Sequence, residues 1–165
     1  MKGLSFNDLM IKAWIEGRKT VTRRLIKPQP CNDPWIEVME PPYLSGETVY
    51  IKETWGMSPI ISEGVVYKRN YCVPDVVAWR YPRSMPVSAA RSYAMILSVK
   101  PERVQDITEE EATSEGIEYY VAAGGMQHEE MSMRMQFSML WNSIYPGSWE
   151  RNDWCWRIEL AKESK

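Results

Sequence analysis

Asp153-Trp154-Cys155-Trp156-Arg157-Ile158-Glu159-Leu160-Ala161 alternates without a break, with Trp154, Trp156, Ile158 and Leu160 on one face and Cys155, Arg157 and Glu159 on the other. A period of two predicts a strand with one buried face. As the last predicted strand, it can pair back into the elements that precede it. Thr20-Val21-Thr22-Arg23-Arg24-Leu25 alternates as well, with Thr20, Thr22 and Arg24 on one face and Val21, Arg23 and Leu25 on the other. Glu47 to Trp55, Val65 to Arg69, Val76 to Arg80 and Arg91 to Lys100 read as further strands, the last of them ended by Pro101. Three helices are predicted between them. Asn7 caps one that runs to Glu16 with Gly17 as its stop, and Thr108-Glu109-Glu110-Glu111 is a capping box opening a second that Gly116 closes. The third runs from His128 to Tyr145 and stops at Pro146-Gly147, with Met131, Met135, Met139 and Leu140 expected as core filling and Phe137, Trp141 and Ile144 widening the apolar face. Strands that dominate, helices inserted between distant strands and a terminal strand that pairs back predict an α+β fold, a small mixed β-barrel, closed or nearly closed, flanked by helices.

The 165 residues (19.3 kDa) suit one domain, 1–165, and the 44% hydrophobic and 25% charged content excludes wholesale disorder. A net charge of -2 supplies no global positive field, so any contact with nucleic acid has to be local. The charge is unevenly placed. Residues 1–30 hold seven basic side chains (Lys2, Lys12, Arg18, Lys19, Arg23, Arg24, Lys27) against Asp8 and Glu16, whereas in 101–130 Arg103 stands alone against nine acidic ones. The two segments attract if the fold brings them together; otherwise each is a solvated face.

Cys31, Cys72 and Cys155 are odd in number and widely spaced, and His128 is the single histidine, so no zinc set and no metal is expected. Three thiols without a pairing pattern suit a reducing compartment. The N-terminus lacks the apolar core of a secretory signal and no apolar run approaches about 18 residues, which predicts a cytoplasmic protein with no membrane partner. No cofactor motif is present, and Gly124-Gly125 is the expected disordered loop.

Chemistry concentrates at Gly17-Arg18-Lys19-Thr20-Val21-Thr22-Arg23-Arg24, where four cations and two hydroxyls occupy a helix-to-strand corner. Thr22 and Arg24 share a strand face, and Lys19 stands at the corner with a side chain long enough to join them. A lysine serves a hydroxyl nucleophile as base only if burial lowers its pKa. Glu115 is the unusual carboxylate, because it lies in the last turn of its helix where the dipole disfavours negative charge. The plain alternative is a solvated basic turn and an exposed helix-end glutamate.

Those residues carry a resemblance. The stretch from Gly17 to Arg24, the Ser45-Gly46 turn leading into a strand, and Ile107-Thr108-Glu109-Glu110-Glu111-Ala112-Thr113-Ser114-Glu115-Gly116-Ile117 resemble the ASCH domain of the PUA-like superfamily. With Trp79-Arg80, Met85-Pro86, Ala90-Arg91 and the tail from Trp141 to Trp149, the chain is similar to the long ASCH proteins of bacteriophages and prophages, which would work in the host cytoplasm. The resemblance covers most of the chain and leaves about 28–43 and 58–86 as inserted loops. It implies a PUA-like mixed barrel with a cleft for RNA or modified bases. One compact bacterial branch is an amidohydrolase that deacetylates N4-acetylcytidine with a threonine nucleophile, a lysine base and a glutamate. Matching its motifs places these at Thr22, Lys19 and Glu115, with the motif arginine at Arg24, and implies a metal-independent amidohydrolase acting on an N4-acetylcytidine-like nucleoside. Arg24 and Arg23 would hold the substrate or its oxyanion, Trp55 and Trp79 would stack on a base, and Arg80 and Arg91 would meet a phosphate or line the pocket. The alternatives are a non-catalytic binding module for RNA or a modified nucleotide, a ribonuclease, and a structural phage component. The partner is a nucleoside or RNA, and both monomer and dimer stay open.

Overall fold

A computed structural model of the chain describes residues 1–31, 33–58, 64–70, 78–117 and 131–163. Its elements in chain order are β1 (Gly3–Ser5), α1 (Asp8–Ile15), β2 (Val21–Leu25), β3 (Thr48–Lys52), β4 (Trp55–Met57), β5 (Val65–Tyr67), β6 (Tyr93–Arg103), α2 (Glu109–Ser114), α3 (Met133–Ile144) and β7 (Trp154–Glu163). The terminal strand pairs back into the interior of the sheet. β7 lies antiparallel between β6 and β2, within a five-stranded sheet of order β1-β3-β6-β7-β2, and β4 with β5 forms a separate two-stranded ribbon. The fold is mixed α+β, and among the described residues the ladder closes no ring, since β1 and β2 are its edges. A side chain spans the two edges, where Arg24 Nη2 of β2 donates to the Ser5 carbonyl of β1 at 2.8 Å.

Capping starts α1 and α2 where the sequence indicates, whereas α3, expected from His128, begins at Met133 behind a Ser132 cap. The Asn7 side chain accepts from the Met10 amide, Thr108 from Glu111, and Ser132 from Met135, each relieving an amide that the first helical turn leaves without a partner. α1 lays Met10, Ile11 and Trp14 against Leu4, Phe6, Val49, Ile51, Ala94, Ile96, Ile158 and Leu160, and this is the main core. A second core, on the other side of the sheet, joins Val104, Ile107, Ala112 and Ile117 to Phe137, Trp141 and Cys155. Each large apolar side chain so buried contributes about 1.5–3 kcal/mol before the entropy of ordering it.

Several elements differ from expectation for identifiable reasons. The strand predicted over Glu47 to Trp55 splits at Glu53-Thr54, because Glu53 is buried and grips Arg91 while the chain leaves the main sheet for the ribbon. Pro101 does not end β6. Among the described residues no strand pairs beyond Met95 on the β3 side, so a residue without an amide hydrogen is tolerated there while Pro101 stays in register with Trp156. The face expected to fill the core does so only in part: Leu140 packs against both cores, but Met135 is 51% exposed, and Phe137 and Trp141 are the buried apolar positions, because aromatic rings remove more apolar surface than methionine does. β1 was not predicted, as three residues are too few to show a period. Of the strand predicted over Val76 to Arg80, residues 76–77 lie outside the described residues, as do Cys72, Gly124-Gly125 and His128, and among 78–80 Arg80 forms a bridge to Trp55.

Gly116 ends α2 at φ +79, and a Cβ there would meet Ala13 Cβ at 2.5 Å and Lys19 Cβ at 3.1 Å. Only glycine lets the end of α2 approach the α1–β2 corner. Gly116→Ala is expected to lower stability by roughly 2 kcal/mol or more, from backbone strain and overpacking together, measurable as a lower urea midpoint at unchanged m value.

Candidate functional site

Local sequence builds the corner. Gly17, at φ +77, turns the chain out of α1, and the Arg18 and Lys19 amides both donate to the Ala13 carbonyl before β2 starts. This aims Lys19 inward. Its Nζ donates to the Val21 carbonyl at 2.8 Å, the Glu115 carbonyl at 2.7 Å and Glu115 Oε2 at 2.9 Å, so all three ammonium donors are used in a wholly buried setting. Burial pushes the Lys19 pKa below the ordinary lysine range, against the opposing pull of Glu115.

Glu115 is 2% exposed, and its other oxygen, Oε1, accepts from Arg23 Nη1 at 3.2 Å. Arg23 also pairs with Glu102 and Glu111, and Glu111 pairs in turn with Arg157 at 2.8 Å. Lys19 and Arg23 of the basic N-terminal segment therefore meet Glu102, Glu111 and Glu115 of the acidic one, and they do so in the interior. Burial works against the Arg23 charge, but Glu115, Glu102 and Glu111 raise its pKa above the ordinary value. Burial likewise lifts Glu102 above the usual carboxylate range, opposed by Arg23. Against its own burial, Glu111 is held below that range by Arg23 and Arg157.

On the other face of β2, Arg24 Nη1 donates to Thr22 Oγ1 and to the Arg23 carbonyl, each at 2.8 Å. Thr22 is fully buried, and no hydrogen bond joins its hydroxyl to Lys19. Above these groups opens a cavity of about 240 Å³. Arg23, Arg24 and Glu115 give it a charged base, Ser5 and Asn7 a polar rim, and Phe137, Trp141 and Tyr145 of the α3 side an aromatic wall. Trp141 and Tyr145 pack with ring centroids 4.7 Å apart and planes inclined at 57°. Lys19 and Thr22 lie beneath the cavity, not on its surface.

The structure thus brings Lys19, Thr22, Arg23, Arg24 and Glu115 together and sets the other four candidates elsewhere. Trp55 packs with Met85 and Ala89, the Arg80 guanidinium lies 5.1 Å from the Trp55 ring, Trp79 is half-buried beside Arg80, and none lines this cavity. Arg91 is engaged by both oxygens of Glu53 at 2.7 Å and stacks 4.0 Å from the Tyr67 ring centre. The aromatic wall was missed because Phe137, Trp141 and Tyr145 follow an i, i+4, i+8 spacing that core residues share. Among the described residues, no group of three or more His, Cys, Asp or Glu side chains is placed to hold a metal ion, and no helix is long and apolar enough to cross a membrane.

No protein-family model matches this chain, nor does any curated protein or solved structure.

Because Glu111 titrates below its unfolded value near 4.5, the unfolded chain binds the extra proton, and the stability it supplies is complete above pH 4.5 and lost as pH falls through its folded value. Glu111→Gln is expected to flatten the acid limb below pH 4.5, read from urea midpoints across that range.

Proposed function

We propose that the cavity binds a nucleoside-sized ligand and that the protein is an amidohydrolase acting on an N-acylated cytosine nucleoside, with Thr22 as nucleophile, Lys19 as base and Glu115 as its proton partner. The supporting observation is convergence: Lys19 and Glu115, 96 residues apart, share a hydrogen bond beneath the same cavity whose base presents Arg24, the partner of Thr22. Arg24 sits on the cavity surface and covers the Thr22 hydroxyl. Attack therefore requires a substrate carbonyl to draw the guanidinium away from Oγ1, which would free the nucleophile and supply a donor to the oxyanion in one movement. Burial lowers the Lys19 pKa, the direction a base needs, and the 2.9 Å contact to Glu115 Oε2 gives its proton a place to go. The Thr22 proton would pass to Lys19, the Thr22 oxygen would bond the acyl carbon, and the C–N bond would break with the proton returned to the amine. Water then releases the acyl group from Thr22. The PUA-like barrel is the fold expected on this reading, with β1 and β2 flanking the cleft.

A second reading is favoured by one observation: Thr22 is fully buried and out of hydrogen-bond contact with Lys19. In that case the same cavity recognises a modified base without turning it over. Thr22→Val separates the two, because valine keeps the packing volume and lacks the hydroxyl. A hydrolase is expected to lose at least about a hundredfold in cytidine release from N4-acetylcytidine with Thr22→Val and to retain turnover with Thr22→Ser. No turnover by the wild type, with binding retained by wild type and Thr22→Val alike, would make it a reader.

A further inference from the structure

Two more cavities adjoin the one above. One, of about 290 Å³, shares Ser5 and Asn7 with it and continues over Phe6 to Tyr81, Pro82 and Arg83. The other, of about 340 Å³, shares Arg24 and continues to Lys27, Glu40 and Tyr43. The three cavities adjoin one another around Ser5 of β1 and Arg24 of β2.

The Tyr81 end is the more distinctive. Tyr81 is 77% exposed, more than any other large hydrophobic side chain among the described residues, so it does not serve the core. Its backbone is nonetheless fixed. The Tyr81 carbonyl accepts from the Ser84 amide at 3.0 Å and from Ser84 Oγ at 2.8 Å, Arg80 pairs through both its amide and its carbonyl with Trp55, and buried Met85 anchors the turn from below. The ring is presented by a built turn and needs little ordering on binding. Arg83 makes no ion pair with a described residue, and no carboxylate lines this cavity. At the opposite end Glu40 stands beside Lys27 and weakens any anion site there.

We propose that the Tyr81–Arg83 turn is a second subsite: a base stacks on Tyr81 while the phosphodiester that links it to the base in the first cavity meets Arg83, so the ligand is a single-stranded dinucleotide or longer. This rests on the reading of the first cavity as a nucleoside site. An aromatic face accepts any base, and a guanidinium matches phosphate with two parallel donors.

The test is calorimetric titration of the full chain with N4-acetylcytidine, its monophosphates, and two ribodinucleotides that carry it 5′ or 3′ of adenosine. One dinucleotide is expected to bind about tenfold or more tightly than the nucleoside. That gain should vanish in Tyr81→Ala, return in Tyr81→Trp, and become less salt-dependent in Arg83→Gln. Dinucleotides no tighter than the nucleoside, a monophosphate that reproduces the whole gain, or a gain that survives Tyr81→Ala would each overturn the subsite while the nucleoside site stands. If neither nucleoside nor dinucleotide binds, the first-cavity reading falls, and the subsite with it.

Discussion

A single buried carboxylate ties this structure together. Glu115 stands at the end of a short helix, where the helix dipole opposes its charge, and it is almost wholly removed from water. A charge so placed is costly unless both of its oxygens are engaged. Lys19 takes one and Arg23 the other, and the same lysine also takes the Glu115 main-chain carbonyl. From that pairing the geometry follows. The end of α2 must lie against the corner between α1 and β2, residue 116 must be glycine to fit there, and Arg23 must draw Glu102 of β6 and Glu111 of α2 to one point.

The atoms that hold the fold also form the base of the cavity, and this bears on chemistry. Arg23 is spent on carboxylates and is a positioning residue for Glu115; Arg24, bonded to neutral oxygens only, is the cation that a ligand can recruit. Neighbouring arginines on one strand acquire opposite duties because successive side chains point to opposite faces. Arg24 also bridges the two sheet edges, so a ligand that draws it away from Ser5 and Thr22 would loosen the boundary of its own cavity. On the proposed reading, substrate recognition and uncovering of the threonine would be a single event.

Much of this was legible in the sequence, and the physical reasons divide cleanly. Periodicity revealed β2, β6 and β7, and capping side chains marked the starts of α1 and α2, because both signals are local. The charge imbalance between residues 1–30 and 101–130 indicated attraction but not burial; only the structure shows the ion pairs turned inward at Arg23. Lys19, Thr22, Arg24 and Glu115 were singled out by strand alternation, a helix-end carboxylate and motif resemblance, and long-range packing brings them together. The aromatic wall of α3 and the exposed Tyr81 were illegible, since an aromatic facing a cavity and one facing the core have the same sequence signature. Trp55 was singled out for its type alone, and it packs in the core of the ribbon region.

The central claim is that the Glu115-centred cluster is the base of a ligand cavity. The most direct measurement is an NMR titration of isotope-labelled protein with N4-acetylcytidine, following the Arg24 side chain, the Trp141 indole and the backbone amides of Asn7, Glu115 and Tyr145. Saturable shifts at these groups, with one common dissociation constant, are the predicted result. Shifts confined to the Trp55, Arg80 and Arg91 region, or no saturable shift at all, would contradict it.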